Sequence, residues 1–568
     1  KVKTKKKIEK EEAEEVTDST SAETTETSSD LETASTDDVA TESDESTSIS
    51  TEETETASSS DTSTTSTEAV AEYETTEEWV PASQYAGSLG TEITSSDSES
   101  TTTSESSDSE SNTAEQIGDT LSTTETTAAL AQLHNTGVIE AVKVEMKASG
   151  GNMYALAINN EGIVRANGID FSGGRIMLKA NTGIVQVNGT LDASSTMPAT
   201  PTLDAAALYG GNIQVLGEKV GIMNDALIDA SGLNGGGEIL IGGDYQGSNE
   251  AIMNAERTYV AEGASIKADA IETGDGGTVI TWADDINRFY GDISVQGGSQ
   301  EGNGGFVEIS GKNLLTFDGT LNLSAENGTG GEVLFDPLNI TISTGADSNT
   351  TGFTGAADAD LTEAFGDDAG LTSVFDVTAG TGSFDGISAG STITLQATND
   401  ITVANAWDLA TSTGTSNISV VLSAGNDINL NAALTATGTG TIDLTATAGN
   451  IAVDAALTTA STLSMTAGTN ITQSAAISAG NTTLNATAIT LGSANTFGTL
   501  ALTSTGNTSI TENAAMDIGT STIGGTLSLN SSGNNIDDSG AIAVTSTTTL
   551  NSGAGNITLN QGAGTFGT

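Results

Sequence analysis

The sequence predicts an all-β fold, a solenoid of stacked coils, from two recurring phrases and the spacing between them. The first phrase is a glycine pair followed at once by a short apolar strand. It reads Gly173-Gly174-Arg175-Ile176-Met177-Leu178, then Gly210-Gly211-Asn212-Ile213-Gln214-Val215, then Gly236-Gly237-Glu238-Ile239-Leu240-Ile241, and returns at Gly276-Gly277, Gly304-Gly305 and Gly330-Gly331. The second follows most of these by roughly fifteen residues: Gly189-Thr190-Leu191-Asp192-Ala193-Ser194, Ala226-Leu227-Ile228-Asp229-Ala230-Ser231, Ala264-Ser265-Ile266-Lys267-Ala268-Asp269. Self-similarity at a period of roughly 20–50 residues marks a stacked array, and units of strand and turn make that array a β-solenoid. Composition agrees. Aromatics are 4% and charged residues 16%, and a narrow coil interior is filled by small and β-branched side chains.

Residues 1–127 are low-complexity sequence, nearly all Ser, Thr, Glu and Asp after an opening lysine cluster. Such a segment cannot bury enough apolar surface to offset chain entropy, so disorder is expected. Trp79-Val80-Pro81 with Tyr85 reads as a chance apolar spot in this linker. Residues 138–346 form the first half of the solenoid, beginning where Val142, Val144 and Met146 alternate with polar residues. A longer gap, residues 244–259, is expected to protrude as a loop. Residues 347–389 break the pattern as an irregular acidic insertion with Phe353, Phe365, Phe375 and Phe384. Residues 390–568 form the second half, with coil openers at Thr392-Ile393, Asn417-Ile418, Thr441-Ile442, Thr462-Leu463, Asn481-Thr482, Thr499-Leu500, Thr526-Leu527 and Thr547-Thr548. At about 21 residues per coil this predicts on the order of twenty coils and a stack roughly 100 Å long.

Further phrases resemble a known family. They are Asn152-Met153-Tyr154-Ala155-Leu156-Ala157-Ile158, Gly242-Gly243-Asp244-Tyr245-Gln246-Gly247, Val279-Ile280-Thr281-Trp282-Ala283-Asp284, Arg288-Phe289-Tyr290-Gly291 and Leu334-Phe335-Asp336-Pro337-Leu338-Asn339. Together they resemble the filamentous-haemagglutinin type of exoprotein, exported by two-partner secretion in Gram-negative bacteria. The resemblance covers about residues 146–409 and the later repeats in style. It implies a right-handed parallel β-helix, export through an outer-membrane transporter barrel, and work as a surface adhesin on a glycan or protein receptor, extracellular or on the outer surface. The sequence reads as an internal fragment, with the secretion domain expected upstream.

The charge distribution narrows the function. The net charge is −60, and no Lys or Arg follows Lys312. Phosphate neutralisation needs clustered cations, so nucleic acid is excluded as a partner. Cysteine is absent, and no apolar run of about 18 residues exists for a transmembrane helix. Paired carboxylates occur at Asp284-Asp285, Asp358-Ala359-Asp360 and Asp367-Asp368, with Arg165, Arg175, Arg257, Arg288 and the single His134 as possible partners. They read as solvated turns. Gly242-Gly243-Asp244 and Gly274-Asp275-Gly276-Gly277 are faintly similar to a calcium-binding repeat but lack its tandem register, and read as turn glycines. Asn399, Asn426, Asn450, Asn470 and Asn507 recur at coil corners, where an amide can bond up the stack and tolerate left-handed backbone. No catalytic, cofactor-binding or metal-binding residue is assigned. The expected function is a non-enzymatic adhesin stalk; a β-helix polysaccharide lyase or hydrolase and the stalk of a contact-dependent toxin are the alternatives.

Overall fold

A computed structural model describes residues 133–148, 156–166, 174–195, 208–223, 225–345, 372–561 and 564–567. The acidic Ser/Thr tract, with the Trp79 spot, lies outside the described residues, as does most of the acidic insertion, including Phe353, Phe365 and both of its carboxylate pairs.

The described chain is a parallel β-helix, as the phrases predict. One long sheet runs in chain order from Lys143–Ala148 to Thr499–Ser504, each strand pairing in parallel with its predecessor. That makes thirteen strands, followed by three levels that each carry two short strands, such as Met516–Ile518 with Ser521–Ile523. Sixteen levels at about 4.8 Å give a stack of roughly 70 Å, shorter than expected. First-half coils are the reason, since equivalent residues of the long sheet lie 26 to 40 apart there against 18 to 23 in much of the second half. Two seven-stranded sheets complete the first half, and a ten-stranded and a four-stranded sheet continue the second.

The two phrases are two sides of one turn. The N–H of Gly237 donates to Ala230 O at 2.8 Å, that of Gly277 to Ala268 O at 2.7 Å, and that of Gly305 to Val295 O at 2.7 Å. So the second glycine of each pair is tied to the fifth position of the preceding second phrase. The glycines also stack on one another. A Cβ on Gly237 would stand 2.1 Å from Gly211 O, one on Gly277 2.1 Å from Gly237 O, and one on Gly305 2.1 Å from Gly277 O. No side chain fits where backbones approach this closely, which is why the pair recurs.

The interior follows from strand alternation. Leu444, Leu463, Met465, Leu500, Leu502, Leu527 and Leu529 all point inward and are buried, and Asp443 faces outward between Ile442 and Leu444. At the coil corners Asp427 Oδ1 accepts the Asn450 N–H at 2.7 Å and Asn450 Oδ1 accepts Thr469 Oγ1–H at 2.7 Å. Asn507 Oδ1 likewise takes the Thr526 N–H at 2.9 Å. The corner asparagines thus bond up the stack, but none is left-handed; that backbone falls to Asn417 instead.

Four details depart from the sequence reading. Among the described residues the ladder already includes Leu133–Asn135, ahead of Val138, and the Asn135 amide donates to Asn160 one coil on at 2.8 Å. That places His134 inside a strand, 3.1 Å from Glu161. Residues 373–376, expected to be irregular, form a strand paired with Ile340–Ser343. On its other side Ser373 Oγ accepts the Leu315 N–H at 2.9 Å, so a later strand sits between two earlier ones. Phe375 and Phe384 accompany it into the core, in a column where Phe317–Phe335, Phe335–Phe375, Phe375–Phe384 and Phe384–Trp407 centroids lie 5.0, 4.9, 5.6 and 5.1 Å apart. Finally, the openers at Thr526 and Thr547 belong to the ten-stranded sheet, since Leu527–Asn530 pairs with Thr508–Glu512 and Thr548–Asn551.

The last change follows the end of the four-stranded sheet at Ile477–Ala479. Buried side chains there take over ladder bonds. Asn495 accepts from Ile477 N and donates to Thr511 O, both at 2.9 Å, and pairs reciprocally with Gln473 at 2.8 Å. Glu512 accepts the Phe497 N–H at 2.7 Å with one oxygen, while its Oε2 is buried without a hydrogen-bond partner. Burial therefore pushes its carboxyl up from 4.5 to about 7, against the pull of the Phe497 N–H.

Two predictions follow from this packing. Leu502→Asp places an unpaired charge in the interior and costs several kcal/mol, whereas Ser528→Asp on the outer face costs under about 1 kcal/mol. Hydrogen exchange will show the coils around Leu502 opening before those around Gly237, as nearest-neighbour stability requires. Because the folded-state pKa of Glu512 is raised, its contribution to stability is complete below about pH 4.5 and is lost as pH rises through 7. Glu512→Gln keeps an acceptor for Phe497 and removes that loss. In urea titrations it should exceed the parent by on the order of 2 kcal/mol at pH 8 and match it at pH 4.5.

Candidate functional site

The outer face of the long sheet carries one built site. Register places Leu240, Ile280, Glu308 and Leu334 in one outward column on successive coils. Leu240, Ile280 and Trp282 form a buried apolar cluster separate from the main core. What buries them is the stretch expected to protrude. Residues 244–254 fold back across the sheet instead, and Arg257–Val260 re-enters the stack as a strand.

A one-turn 3-10 helix, Tyr245–Gly247, holds this loop down, with Asp244 as its cap. The Gln246 N–H donates to both oxygens of Glu308 at 3.1 Å, from a left-handed backbone with φ 51°. Its side chain donates to Gln396 at 3.1 Å, and Gln396 in turn donates to Asp336 at 3.2 Å. The Tyr245 ring packs at 5.9 Å from Phe306. Trp282 closes the far side, its Nε1–H on Asp284 at 3.0 Å. A Cβ on Gly247 would stand 2.4 Å from Trp282 Cε2, and one on Gly243 2.7 Å from its Cδ1. The glycines before and after Asp244 therefore make room for an indole.

The electrostatics are unusual for a surface. Glu308 is fully buried, and burial pushes its carboxyl up to about 7, opposed by hydrogen bonds from the Gln246 N–H and Ser310 and reinforced by Asp336 and Asp244. Burial also raises Asp336, to about 6. The Tyr245 hydroxyl is raised by burial, then by Glu308, Glu332 and Asp336. Burial thus shifts two carboxyls on adjacent coils toward neutrality, Glu308 further than Asp336, the direction in which a general acid is tuned.

The residues weighed from sequence are spread apart. Asp284 accepts from Trp282 and Asn254, and Asp285 accepts from Arg257 at 3.0 Å and Asn313 at 3.0 Å. Arg165 joins Glu140 at 2.6 Å and Asp192 at 2.9 Å along a different sheet. Arg288 is buried on the sheet that carries Arg257, and Arg175 lies on the long sheet. In the second calcium-like phrase, Asp275 Oδ1 accepts the Asn303 N–H of the next coil at 2.7 Å, bonding up the stack. Glu308 and Asp336 escaped notice because alternation marks both as outward, hence solvated; the signal lay in the long gap after Gly243 and in Trp282 beside it. A depression of about 300 Å³ on another side includes Asp269, Gln296 and Ser324, whose polar groups already bond to one another or to Ser294.

Among the described residues no helix is long and apolar enough to cross a membrane. A family model described as repeats of unknown function (DUF5649) matches residues 441–504 and 505–568. The first of these spans about three coils, from Ile442–Ala446 to Thr499–Ser504. No curated protein matches the chain.

Gly247→Ala is the sharpest probe of the loop's seat, since it adds a Cβ against Trp282 at a residue with φ 57°. It should shift tryptophan emission to the red and cost about 1–3 kcal/mol, with the remaining coils unchanged by circular dichroism.

Proposed function

We propose that this chain is part of a non-enzymatic adhesin stalk, secreted or displayed on the outer surface of a Gram-negative bacterium. It would leave the cell through an outer-membrane transporter barrel and carry a binding surface outward to a glycan or protein receptor. The observation that carries this reading is the single-file parallel ladder running from Lys143 to Phe566. In such a stack each coil adds about 4.8 Å of reach. The haemagglutinin-like phrases supply the adhesive context. A second reading, a polysaccharide lyase or hydrolase, is favoured by the neighbouring carboxyls of Glu308 and Asp336, both shifted upward by burial, the direction an acid catalyst needs.

Excision of whole coils tests the stalk. Val420 stands opposite Ile442 and Ile442 opposite Leu463, so deleting residues 442–462 brings Leu463 onto Val420. The shortened chain should fold, reach the surface and still attach cells. Removing residues 133–567 should abolish attachment; undiminished attachment would overturn the reading. So would new reducing or unsaturated ends on incubation with acidic or neutral polysaccharides, and Glu308→Gln would then identify the acid.

A further inference from the structure

We propose that residues 244–254 are a proton-held lid. The lid lies closed over the outer face of the long sheet while Glu308 is neutral, and lifts when Glu308 and Asp336 ionise, uncovering Leu240, Ile280, Trp282 and Phe306.

Closure depends on few contacts. The lid is fastened at its tip by Gln246, through its N–H to Glu308 and its side chain to Gln396. At its sides it rests on Trp282 and Phe306. Its remaining bonds are largely internal: Asn249 to Asp244 at 2.6 Å and Asn254 to Gly247 O at 2.9 Å, with Asn254 also reaching Asp284 at 3.2 Å. Gln246 holds a left-handed backbone that a non-glycine residue adopts at a cost. The closed state therefore depends on what Glu308 offers to Gln246.

The charges around Glu308 are of one sign. From the lid come Asp244 and the Tyr245 hydroxyl. From the next coil come Asp336 and Glu332, beyond Trp282 lies Asp284, and Glu238, two coils back, acts on Asp244. The nearby cation is Arg175, which acts on Glu238. A carboxylate at Glu308 is thus buried with no countercharge and with a second carboxyl beside it, and the gains from the Gln246 N–H and the Ser310 hydroxyl do not cover that cost. Opening the lid returns both groups to water. The sign follows: a closed-state pKa raised from 4.5 to about 7 favours closure below pH 4.5 and withdraws that preference as pH climbs through 7. Between pH 5 and 8 the opening equilibrium should rise on the order of a hundredfold. The device operates whether the chain is a stalk or an enzyme, because it needs only the sheet face and the lid.

Hydrogen exchange on the full chain at pH 5 and pH 8, corrected for intrinsic rates, tests it. Peptides covering 244–256 are compared with peptides covering 442–467 as an internal reference. In the parent chain, lid protection should fall on the order of a hundredfold at pH 8 while the reference holds. In Glu308→Gln, which keeps an acceptor and cannot ionise, the fall should shrink to about tenfold, the share left to Asp336; in Asp336→Asn it should also be smaller than in the parent. Reference protection and circular dichroism establish that each variant is folded. Equal lid protection at both pH values in the parent would overturn the proposal, as would an undiminished fall in Glu308→Gln.

Discussion

Everything in this chain rests on how closely one coil lies on the next. In the first half the limiting contact is glycine on glycine: the carbonyl of each second glycine occupies the place where its successor's side chain would begin. That contact keeps neighbouring strands at ladder distance around a tight turn, and the same glycine N–H ties the turn shut on the preceding strand. Interior side chains then need only be apolar and of modest size, which is why valine, isoleucine, leucine and alanine suffice through most of the stack. Replacing any glycine of the column pushes two coils apart and forfeits the pairing of three sheets at that level.

Where the cross-section changes, different chemistry fills the gap. At the junction of the two halves a column of phenylalanines with Trp407 occupies the widened interior. Near the end of the four-stranded sheet, Asn495, Gln473 and Glu512 satisfy backbone groups that a further strand would have paired. The first fills volume with apolar surface, and the second leaves no buried N–H or C=O alone. Aromatic rings suit a wide level with complete ladders, and amides and a carboxyl suit one with broken ladders.

Much of this was legible in the residues. The glycine pairs, the Asp-Ala-Ser phrases and the alternation around Leu444, Met465 and Leu502 carry the coil and its inward face, because each recurs and each has one structural use. What was not legible depends on contacts between distant coils. Nothing local distinguishes Glu308 from a solvated glutamate; it is buried by Gln246, 62 residues earlier in the chain. Thr526-Leu527 looks like Thr499-Leu500 yet occupies another sheet, because the sheet that spaced the coils has ended. The strand at Ser373 was hidden for a similar reason: its partner, Ile340–Ser343, precedes it across a long excursion.

That back-inserted strand bears on how the molecule assembles. A solenoid emerging from its N-terminus can zip up one coil at a time, each new strand docking on the edge left by the last. Here the rule fails once. Ile340–Ser343 leaves a vacancy above Leu314–Phe317, to be filled only after some thirty further residues have appeared and Ser373–Asp376 has doubled back. Until then the growing end has an incomplete edge and an uncapped aromatic interior. Vectorial growth must pause at this level, so the two halves are separated in time as well as in cross-section.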